Sequence, residues 1–140
     1  MTSESAAASA PAAASDDDFV EVRLPADGVY LSVLRTASAG LAARLDFTLD
    51  EIDDLRIAVD EACALLLAQV VSDGRLTCRF TMGPDSLAVA VSAPTRDGYA
   101  PARDTFAWTV LSALADTVEA SVDAERIVTI TLHKRRDGGA

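Results

Sequence analysis

The spacing of apolar residues divides the chain into short strands and helices. In the segment FVEVRLP, apolar and polar residues alternate so that Val20, Val22 and Leu24 share one face, which is typical of a half-buried strand. The segment RLTCRFTM alternates in the same way, and the turn residues GPD join it to SLAVAVSA, which predicts a hairpin. Two further strands are predicted at TVEASV and RIVTITLHK, on either side of a turn at DAE.

Two helices are predicted between the first strand and the hairpin. The first has an apolar stripe at Leu34, Ala37, Leu41 and Leu45. The second begins with a capping-box pair, Thr48 and Glu51, flanked by Phe47 and Ile52 at the spacing of a hydrophobic staple. The turn residues SDG, from Ser72 to Gly74, are predicted to stop this helix. Its buried stripe is predicted to consist of Ile52, Leu55, Val59, Ala62 and Leu66.

A third, shorter helix is predicted after a loop that spans Pro94 to Asp104. Its apolar positions are Phe106, Val110, Ala113 and Leu114. The predicted order is therefore β-α-α-β-β-α-β-β, in which hairpins and helices must share one core. This order predicts an α+β fold, a two-layer sandwich of a mixed, largely antiparallel sheet with helices on one face.

The ends of the chain differ in composition from its centre. The segment MTSESAAASAPAAASDDD lacks a positively charged start and large apolar residues, so residues 1–18 are predicted to form a disordered tail rather than a signal peptide. Residues 135–140 are predicted to fray, which leaves one domain at 19–134. No window approaches the roughly 20 apolar residues needed to cross a bilayer, so we expect no association with a membrane.

Charge and cysteine content narrow the possible functions. With 22 acidic and 12 basic residues the formal net charge is −10, which disfavours nucleic acid as a ligand and favours a basic protein partner. Cys63 and Cys78 have no further Cys or His residues at ligand spacing, so we expect small buried thiols in a reducing cytoplasm and no metal site. His133 also lacks neighbours suited to metal binding.

The segment FTLDEIDDLRIAVDEAC, Phe47 to Cys63, carries Asp60 and Glu61 side by side on the second predicted helix. This segment resembles the RsbW-type anti-sigma factors, which belong to the GHKL group of ATPases together with histidine-kinase catalytic domains. A second likeness lies in FAWTVLSALADTVEAS, which is similar to the last helix and following strand of the actinobacterial branch. The resemblance covers roughly Phe19 to Lys134 and implies a Bergerat-type, GHKL-like sandwich.

The resemblance implies a role for one acidic residue and a loss of several nucleotide-binding groups. Glu61 matches the family's general base in the motif E-x-x-x-N, but Leu65 stands where an Asn would help to hold Mg²⁺. Ala93 and Thr95 replace the Asp and the first Gly of the adenine motif D-x-G-x-G. Thr105 and Ala107 surround the position of the last motif, G-x-G, whose backbone amides approach the phosphates. The lid between these motifs is shorter than in the family.

These replacements predict weak or absent nucleotide binding. Loss of the Asn and Asp contacts together amounts to roughly 3–6 kcal/mol, and added Cβ atoms at the glycine positions block close backbone approach. We therefore expect no cofactor, and ATP with Mg²⁺ only if kinase activity survives. We also hypothesise that Trp108 packs near Leu65 and Ala93 and fills space that a nucleotide would occupy.

The resemblance further implies a partner-binding surface on the first helix. Arg35, with Leu31 and Ser32 beside it, matches an Arg that family members use to contact both the sigma factor and its anti-anti-sigma (STAS-domain) antagonist. The alternative for Arg35 is an ordinary flanking residue with its stem on the core edge, and the alternative for Glu61 is a hydrogen-bonded helix carboxylate.

The favoured function is thus a cytoplasmic, homodimeric anti-sigma factor of the stress or sporulation type. Two alternatives stay open. One is an active serine protein kinase that phosphorylates its antagonist, and the other is a regulator that binds only the antagonist.

Overall fold

Five strands form one sheet that carries three helices on a single face. The computed structural model of the chain describes residues 18–137. The strands lie in the spatial order β1-β2-β3-β5-β4, and every neighbouring pair is antiparallel. The strands are β1 (Phe19–Pro25), β2 (Arg75–Met82), β3 (Ser86–Pro94), β4 (Thr117–Val122) and β5 (Ile127–Arg135). The helices are α1 (Leu31–Arg44), which follows a 3₁₀ turn at Gly28–Tyr30, α2 (Leu49–Leu67) and α3 (Phe106–Leu114).

The predicted fold class and element order are confirmed. Alternate residues of the central strands β2, β3 and β5 are buried, as expected where one face of the sheet packs against helices. Of the two predicted tails, residues 1–17 and 138–140 lie outside the described residues. The Asp18 carbonyl accepts a hydrogen bond from the Met82 amide at 2.9 Å, and Arg135 is the last residue of β5.

The start of α2 has the predicted capping geometry. The Thr48 hydroxyl accepts a hydrogen bond from the Glu51 amide at 3.1 Å, and the Glu51 carboxylate accepts one from the Thr48 amide at 2.8 Å. Phe47 and Ile52 are both buried, as a hydrophobic staple requires. The predicted stripe of α2 is buried along its whole length. The helix ends at Leu67, earlier than predicted, because Val70 pairs with Thr95 in an isolated β-bridge.

The buried face of α1 is rotated from the predicted one. Leu34 is buried as expected, but the next two buried positions are Ser38 and Ala42 rather than Ala37 and Leu41. The Ser38 hydroxyl donates a hydrogen bond of 2.7 Å to the Leu34 carbonyl, which satisfies its buried polar group. The predicted Ala37, Leu41 and Leu45 are partly buried at the edge of this face.

The predicted apolar face of α3 is partly wrong. Val110 and Leu114 are partly buried, and Leu114 packs against the core. Trp108 and Leu111 are the buried residues of this helix, whereas Phe106 is 83% exposed and Ala113 is exposed. The error arises because apolar residues occur on every side of this short helix, so the spacing alone leaves its rotation open. Packing of α3 against α2 and β4 determines which side is buried, and Trp108 joins the core on that side.

Both thiols are buried, as predicted. Burial and the charge of Asp60 raise the pKa of Cys63 to about 12, and burial raises the pKa of Cys78 further, with a contribution from Cys63. Within residues 18–137, no group of three or more His, Cys, Asp or Glu side chains is arranged to hold a metal ion. Among the same residues, no helix combines the length and the apolar character needed to cross a bilayer.

Candidate functional site

The adjacent carboxylates at the middle of α2 have different environments. Asp60 faces α1, where both of its carboxylate oxygens accept hydrogen bonds from Nη1 of Arg35, at 3.0 and 3.2 Å. Both side chains are a little under two-fifths exposed. The ion pair between Asp60 and Arg35 is partly solvated and joins α2 to α1. The positions of the two residues in the sequence do not indicate this contact.

Glu61 is partly buried one residue further along the helix. Its Oε1 atom is inaccessible to solvent and has no hydrogen-bond partner within residues 18–137. A buried carboxylate oxygen without a partner is costly and needs an explanation. This oxygen keeps an unused capacity to accept a hydrogen bond.

Apolar side chains occupy three of the predicted nucleotide positions, Leu65, Ala93 and Trp108. Leu65 lies one turn after Glu61 and packs against the core while remaining partly exposed. Ala93, on β3, is 1% exposed, and Trp108 is 6% exposed in the same core. The Arg103 guanidinium lies 4.9 Å from the Trp108 ring centroid, a distance suited to a cation–π contact. Trp108 thus points into the protein rather than into solvent.

Thr95 joins the end of β3 to the turn between β4 and β5. Its side chain is almost completely buried, at 3% exposure. The hydroxyl donates a hydrogen bond of 2.7 Å to the Arg126 carbonyl and accepts one of 2.9 Å from the Gly98 amide. The Thr95 amide also donates to the Arg126 carbonyl, at 3.0 Å. The hydroxyl is therefore fully engaged within the chain.

The residues after Thr95, up to Thr105, form what we call the lid segment. Its first half is bonded to the end of α2, where the Arg96 amide donates to the Gln69 carbonyl at 3.0 Å and the Arg96 guanidinium donates to the Ala68 carbonyl at 3.2 Å. The Gln69 side chain returns a bond to the Tyr99 carbonyl at 3.0 Å. These bonds satisfy carbonyls that the helix end leaves free and hold the lid segment against the fold.

A glycine in the lid segment allows its close contact with the β4–β5 turn. Gly98 has a φ of +72°, and a Cβ there would lie 3.0 Å from Cγ of Arg126. The Arg126 guanidinium donates a hydrogen bond of 2.9 Å to the Arg96 carbonyl. A larger residue at position 98 would be strained in its backbone and would push Arg126 away.

Thr105 and Ala107 lie at the start of α3. The Thr105 hydroxyl caps the helix by accepting a hydrogen bond from the Trp108 amide at 3.2 Å. Ala107 is partly buried in the first turn. The Trp108 amide therefore already has a hydrogen-bond acceptor within the protein.

Arg35 lies between two clefts on the outer surface of α1 and α2. The first encloses about 480 Å³ and is lined by Arg35, Arg56 and small residues of α1, including the predicted Ser32. The second encloses about 240 Å³ and is lined by Arg35, Asp53, Arg56, Ile57 and Asp60. The predicted Leu31 instead packs partly buried against the core.

The α2 side of these clefts was not predicted from the sequence. Asp53, Arg56, Ile57 and Asp60 follow the spacing i, i+3, i+4 and i+7, which places them on one face of a helix. This spacing can be read from the sequence, because it places two Asp residues, an Arg and an apolar residue on one face of the predicted helix. The contact of Asp60 with Arg35, which lies 25 residues away in the chain, cannot be read from the sequence in this way.

Comparisons with known proteins give a consistent assignment. No family model matches the chain. The anti-sigma-F factor RsbW of Mycobacterium tuberculosis (strain H37Rv) is 34% identical over 125 residues, which cover 84% of this chain and 73% of that protein. The serine-protein kinases RsbW of Bacillus velezensis and Bacillus subtilis are each 36% identical over 78 residues, or 54% of this chain. The matched part spans about half the length (49%) of these two kinases.

A solved structure shows the same fold. The crystal structure of the RsbU and RsbW domains of Rv1364c from Mycobacterium tuberculosis superposes with a TM-score of 0.65 over 84% of this chain and 32% of that one. Sequence identity across the superposition is 16%, so this likeness concerns the fold alone.

Proposed function

The chain belongs to the RsbW family of anti-sigma factors and serine-protein kinases, and on that premise we propose that it sequesters a sigma factor by direct binding, without effective use of ATP. The observation that carries the proposal is the match to an anti-sigma-F factor over most of both chains. The bound sigma factor would be kept from core RNA polymerase by steric occlusion. A STAS-domain antagonist would release it by competing for the surface around Arg35.

Charge supports the approach of such a partner. The net charge of −10 attracts the basic DNA-binding regions of a sigma factor over distances of about a Debye length, roughly 8–10 Å. Long-range attraction would speed the encounter with the sigma factor, whereas short-range contacts at the α1–α2 clefts would fix the orientation of the bound partner.

The side chains at the nucleotide positions do not fit Mg-ATP. Leu65 and Ala93 carry no polar side-chain atom, so neither can bind a metal ion or accept a hydrogen bond from an adenine amino group. The Thr95 hydroxyl is occupied by Arg126 and Gly98. Trp108 is buried in the neighbouring core. These four residues support the proposal that the chain acts through protein binding alone.

Calorimetric titration with Mg-ATP tests this part of the proposal. We expect no binding in the low-micromolar range. A matched titration of a Bacillus RsbW kinase, run in the same buffer, verifies that the experiment detects a functional site. Low-micromolar affinity for this chain would overturn the proposal.

One observation favours a second function, an active serine kinase. Glu61 keeps the position of the general base, and its Oε1 atom has no hydrogen-bond partner within the described part of the chain. A carboxylate in this place accepts the proton of an antagonist's serine hydroxyl only after its neighbours move and expose it. Incubation with labelled ATP and purified STAS-domain proteins of the source organism discriminates the two functions, because only the kinase transfers label.

The partners themselves can be identified by pairwise binding. Purified sigma factors and STAS-domain proteins of the source organism are each titrated with the protein in the absence of nucleotide. The proposal predicts one sigma factor that binds and one STAS protein that displaces it. Binding of a STAS protein alone would instead support a regulator that has lost sigma binding.

We further propose a cytoplasmic homodimer. Light scattering tests the dimer, which should have twice the monomer mass of 14.6 kDa. A single species at the monomer mass across the working concentration range would contradict it.

A further inference from the structure

The face of the sheet that carries no helices has a cleft at its end near the α2–β2 loop. The cleft encloses about 450 Å³, a volume within the range of small-molecule sites. Of the residues predicted at nucleotide positions, Ala93 alone belongs to its lining, and Arg35 does not. Strands β1, β2 and β3 line it with polar side chains, those of Arg23, Arg75, Thr77 and Ser92. The cleft is therefore separate from the surface around Arg35.

The strand register places these polar side chains close together. Arg23 lies opposite Thr77, and Thr77 lies opposite Ser92. Arg75 precedes Thr77 by two residues on β2 and therefore points to the same face of the sheet. Side chains directly opposite each other have Cβ atoms about 4.5–5.5 Å apart, and diagonal neighbours about 7–8 Å. The two guanidinium groups can therefore reach one ligand placed above Thr77.

The positive charges of this cleft lack counterions within the described chain. Among residues 18–137, neither Arg23 nor Arg75 belongs to an ion pair, and both residues are exposed. Asp73 is the one acidic residue in the lining, so the cleft is positive on a protein whose net charge is −10. Like charges on neighbouring strands repel each other. A bound oxyanion would remove this repulsion and gain charge-assisted hydrogen bonds.

A hydroxyl group adds a neutral donor beside the arginines. The hydroxyls of Ser92 and Thr129 share one hydrogen bond of 2.8 Å, in which either oxygen can be the donor. When Thr129 donates, the hydrogen of the Ser92 hydroxyl is left for a ligand. The cleft thus offers both charged and neutral donors to an oxyanion.

The other side of the cleft is apolar and held in place. Pro94 and Ile127 lie opposite each other on β3 and β5 and both line the cleft. The Val71 amide donates a hydrogen bond of 3.0 Å to the Pro94 carbonyl, and the Gly74 amide donates one of 3.0 Å to the Val71 carbonyl. A Cβ at Gly74 would lie 2.8 Å from Cγ2 of Val70, so the loop packs too tightly there for a side chain. This wall is therefore already formed before any ligand binds.

We propose that this cleft binds a small organic phosphate monoester, in which Arg23, Arg75 and the Ser92 hydroxyl bind the phosphate group and the apolar part packs against Pro94 and Ile127. A phosphate monoester carries a charge of about −1.5 to −2 and three acceptor oxygens, which matches two guanidinium groups and a hydroxyl. A single carboxylate offers less charge and only two oxygens. The inference goes beyond the proposed function, because it requires neither a sigma factor nor an antagonist.

Phenyl phosphate is a suitable probe of this site. It is titrated into the isotope-labelled protein at low ionic strength, with inorganic phosphate and benzoate titrated in parallel. Phenyl phosphate should shift the Nε–H signals of Arg23 and Arg75 in a saturable way and bind more tightly than either comparison compound. Arg79 is the internal control, because it lies opposite Glu21 with its guanidinium 3.8 Å from the Phe19 ring centroid. An absence of shifts at millimolar concentrations, equal shifts of Arg79, or tighter binding of benzoate would overturn the proposal.

Charge-removing variants test which side chains bind the phosphate group. Arg23→Gln and Arg75→Gln should each weaken phenyl phosphate binding by about three- to tenfold, whereas Arg79→Gln should leave it within about twofold of wild type. Asp73→Asn should tighten binding by about two- to threefold, because it removes a negative charge from the lining. Asparagine tolerates the left-handed backbone of position 73, where φ is +62°. Equal losses in all three arginine variants, or weaker binding by Asp73→Asn, would contradict the proposed placement of the phosphate.

The apolar wall is tested separately from the charges. Ile127→Thr should weaken binding of phenyl phosphate by about threefold and leave the affinity for inorganic phosphate unchanged, because inorganic phosphate has no apolar part to pack. The variant keeps a β-branched residue in β5, so the strand should be retained. Equal loss of affinity for both compounds, or no loss for either, would reject the contact of the ligand with this wall.

Discussion

The Arg126 carbonyl accepts two hydrogen bonds from Thr95, one from the hydroxyl at 2.7 Å and one from the amide at 3.0 Å. A glycine at position 95 would keep the amide bond and lose the hydroxyl bond. The hydroxyl also accepts the Gly98 amide. Thr95 therefore joins the lid segment to the β4–β5 turn.

Replacement of Thr95 by Val should destabilise the protein. Valine keeps the shape of the side chain but removes two hydrogen bonds, one from the partly buried Gly98 amide and one to the Arg126 carbonyl. Their loss costs about 1–3 kcal/mol in the free energy of unfolding. Urea denaturation followed by circular dichroism measures the change. Thr95→Ser retains the hydroxyl and should remain within about 1 kcal/mol of wild type. Equal stability of wild type and Thr95→Val would show that the hydroxyl has no structural role.

Stability should depend on the ionisation of Glu51. Burial disfavours the charged form, but hydrogen bonds from the backbone of Thr48 and Asp137, the Thr48 side chain and the Lys134 charge outweigh it and lower the pKa of Glu51 below its ordinary value of 4.5. A carboxylate whose pKa is lower when folded stabilises the fold above the unfolded-state pKa. That contribution is lost as the pH falls through the folded-state value.

Comparison with Glu51→Gln measures this dependence. The wild-type protein should be more stable than the variant above pH 4.5, and the difference should shrink as the pH falls below that value. Thr48→Ser keeps the hydroxyl acceptor and should retain the pH dependence of wild type. A difference between wild type and Glu51→Gln that stays constant with pH would contradict the assignment.

Charge reversal at Arg35 should weaken partner binding by more than about tenfold, because the reversed charge breaks the ion pair with Asp60 and removes the cation from the proposed partner surface. The effect on folding should be small, since a partly exposed ion pair contributes at most about 1 kcal/mol. Titration of the sigma factor with Arg35→Glu measures the loss. Arg44→Glu changes the same charge on the same helix and serves as the control. An unchanged affinity for Arg35→Glu would remove Arg35 from the interface.

The two thiols should be unreactive in the folded protein. The raised pKa of Cys63, about 12, leaves almost no thiolate at neutral pH, and both side chains are fully buried. A thiol reagent such as dithionitrobenzoate should react slowly with the native protein and at once in denaturant. A Ser72→Cys variant provides an exposed thiol as an internal standard. Equally fast labelling of the native wild type would show that the core opens readily.

The parts of the fold that were predictable have strong local signals. The capping box at Thr48 and Glu51 and the staple at Phe47 and Ile52 determine the start of α2 within a few residues of chain. Strand alternation in β2 likewise predicted one inward face, and Leu76, Cys78 and Phe80 on that face are buried. The buried face of α3 was not predictable, because Trp108 competes with Phe106 for burial and only packing against other elements decides between them.

The candidate site was less predictable than the fold. Glu61 and Arg35 were singled out from motifs, but the contact between Arg35 and Asp60 joins two helices whose relative rotation the sequence does not specify. The Thr95 network depends on a carbonyl 31 residues away, at the left-handed residue Arg126. Backbone acceptors of this kind have no signature in side-chain patterns.

Sigma-factor binding with and without Mg-ATP tests the central claim most directly. The partner sigma factor is titrated calorimetrically into the protein, first in nucleotide-free buffer with a chelator and then with saturating Mg-ATP. Binding through the α1–α2 surface without use of ATP predicts the same dissociation constant in both titrations. A complex that forms only with Mg-ATP, or that tightens by about tenfold when it is added, would contradict the claim.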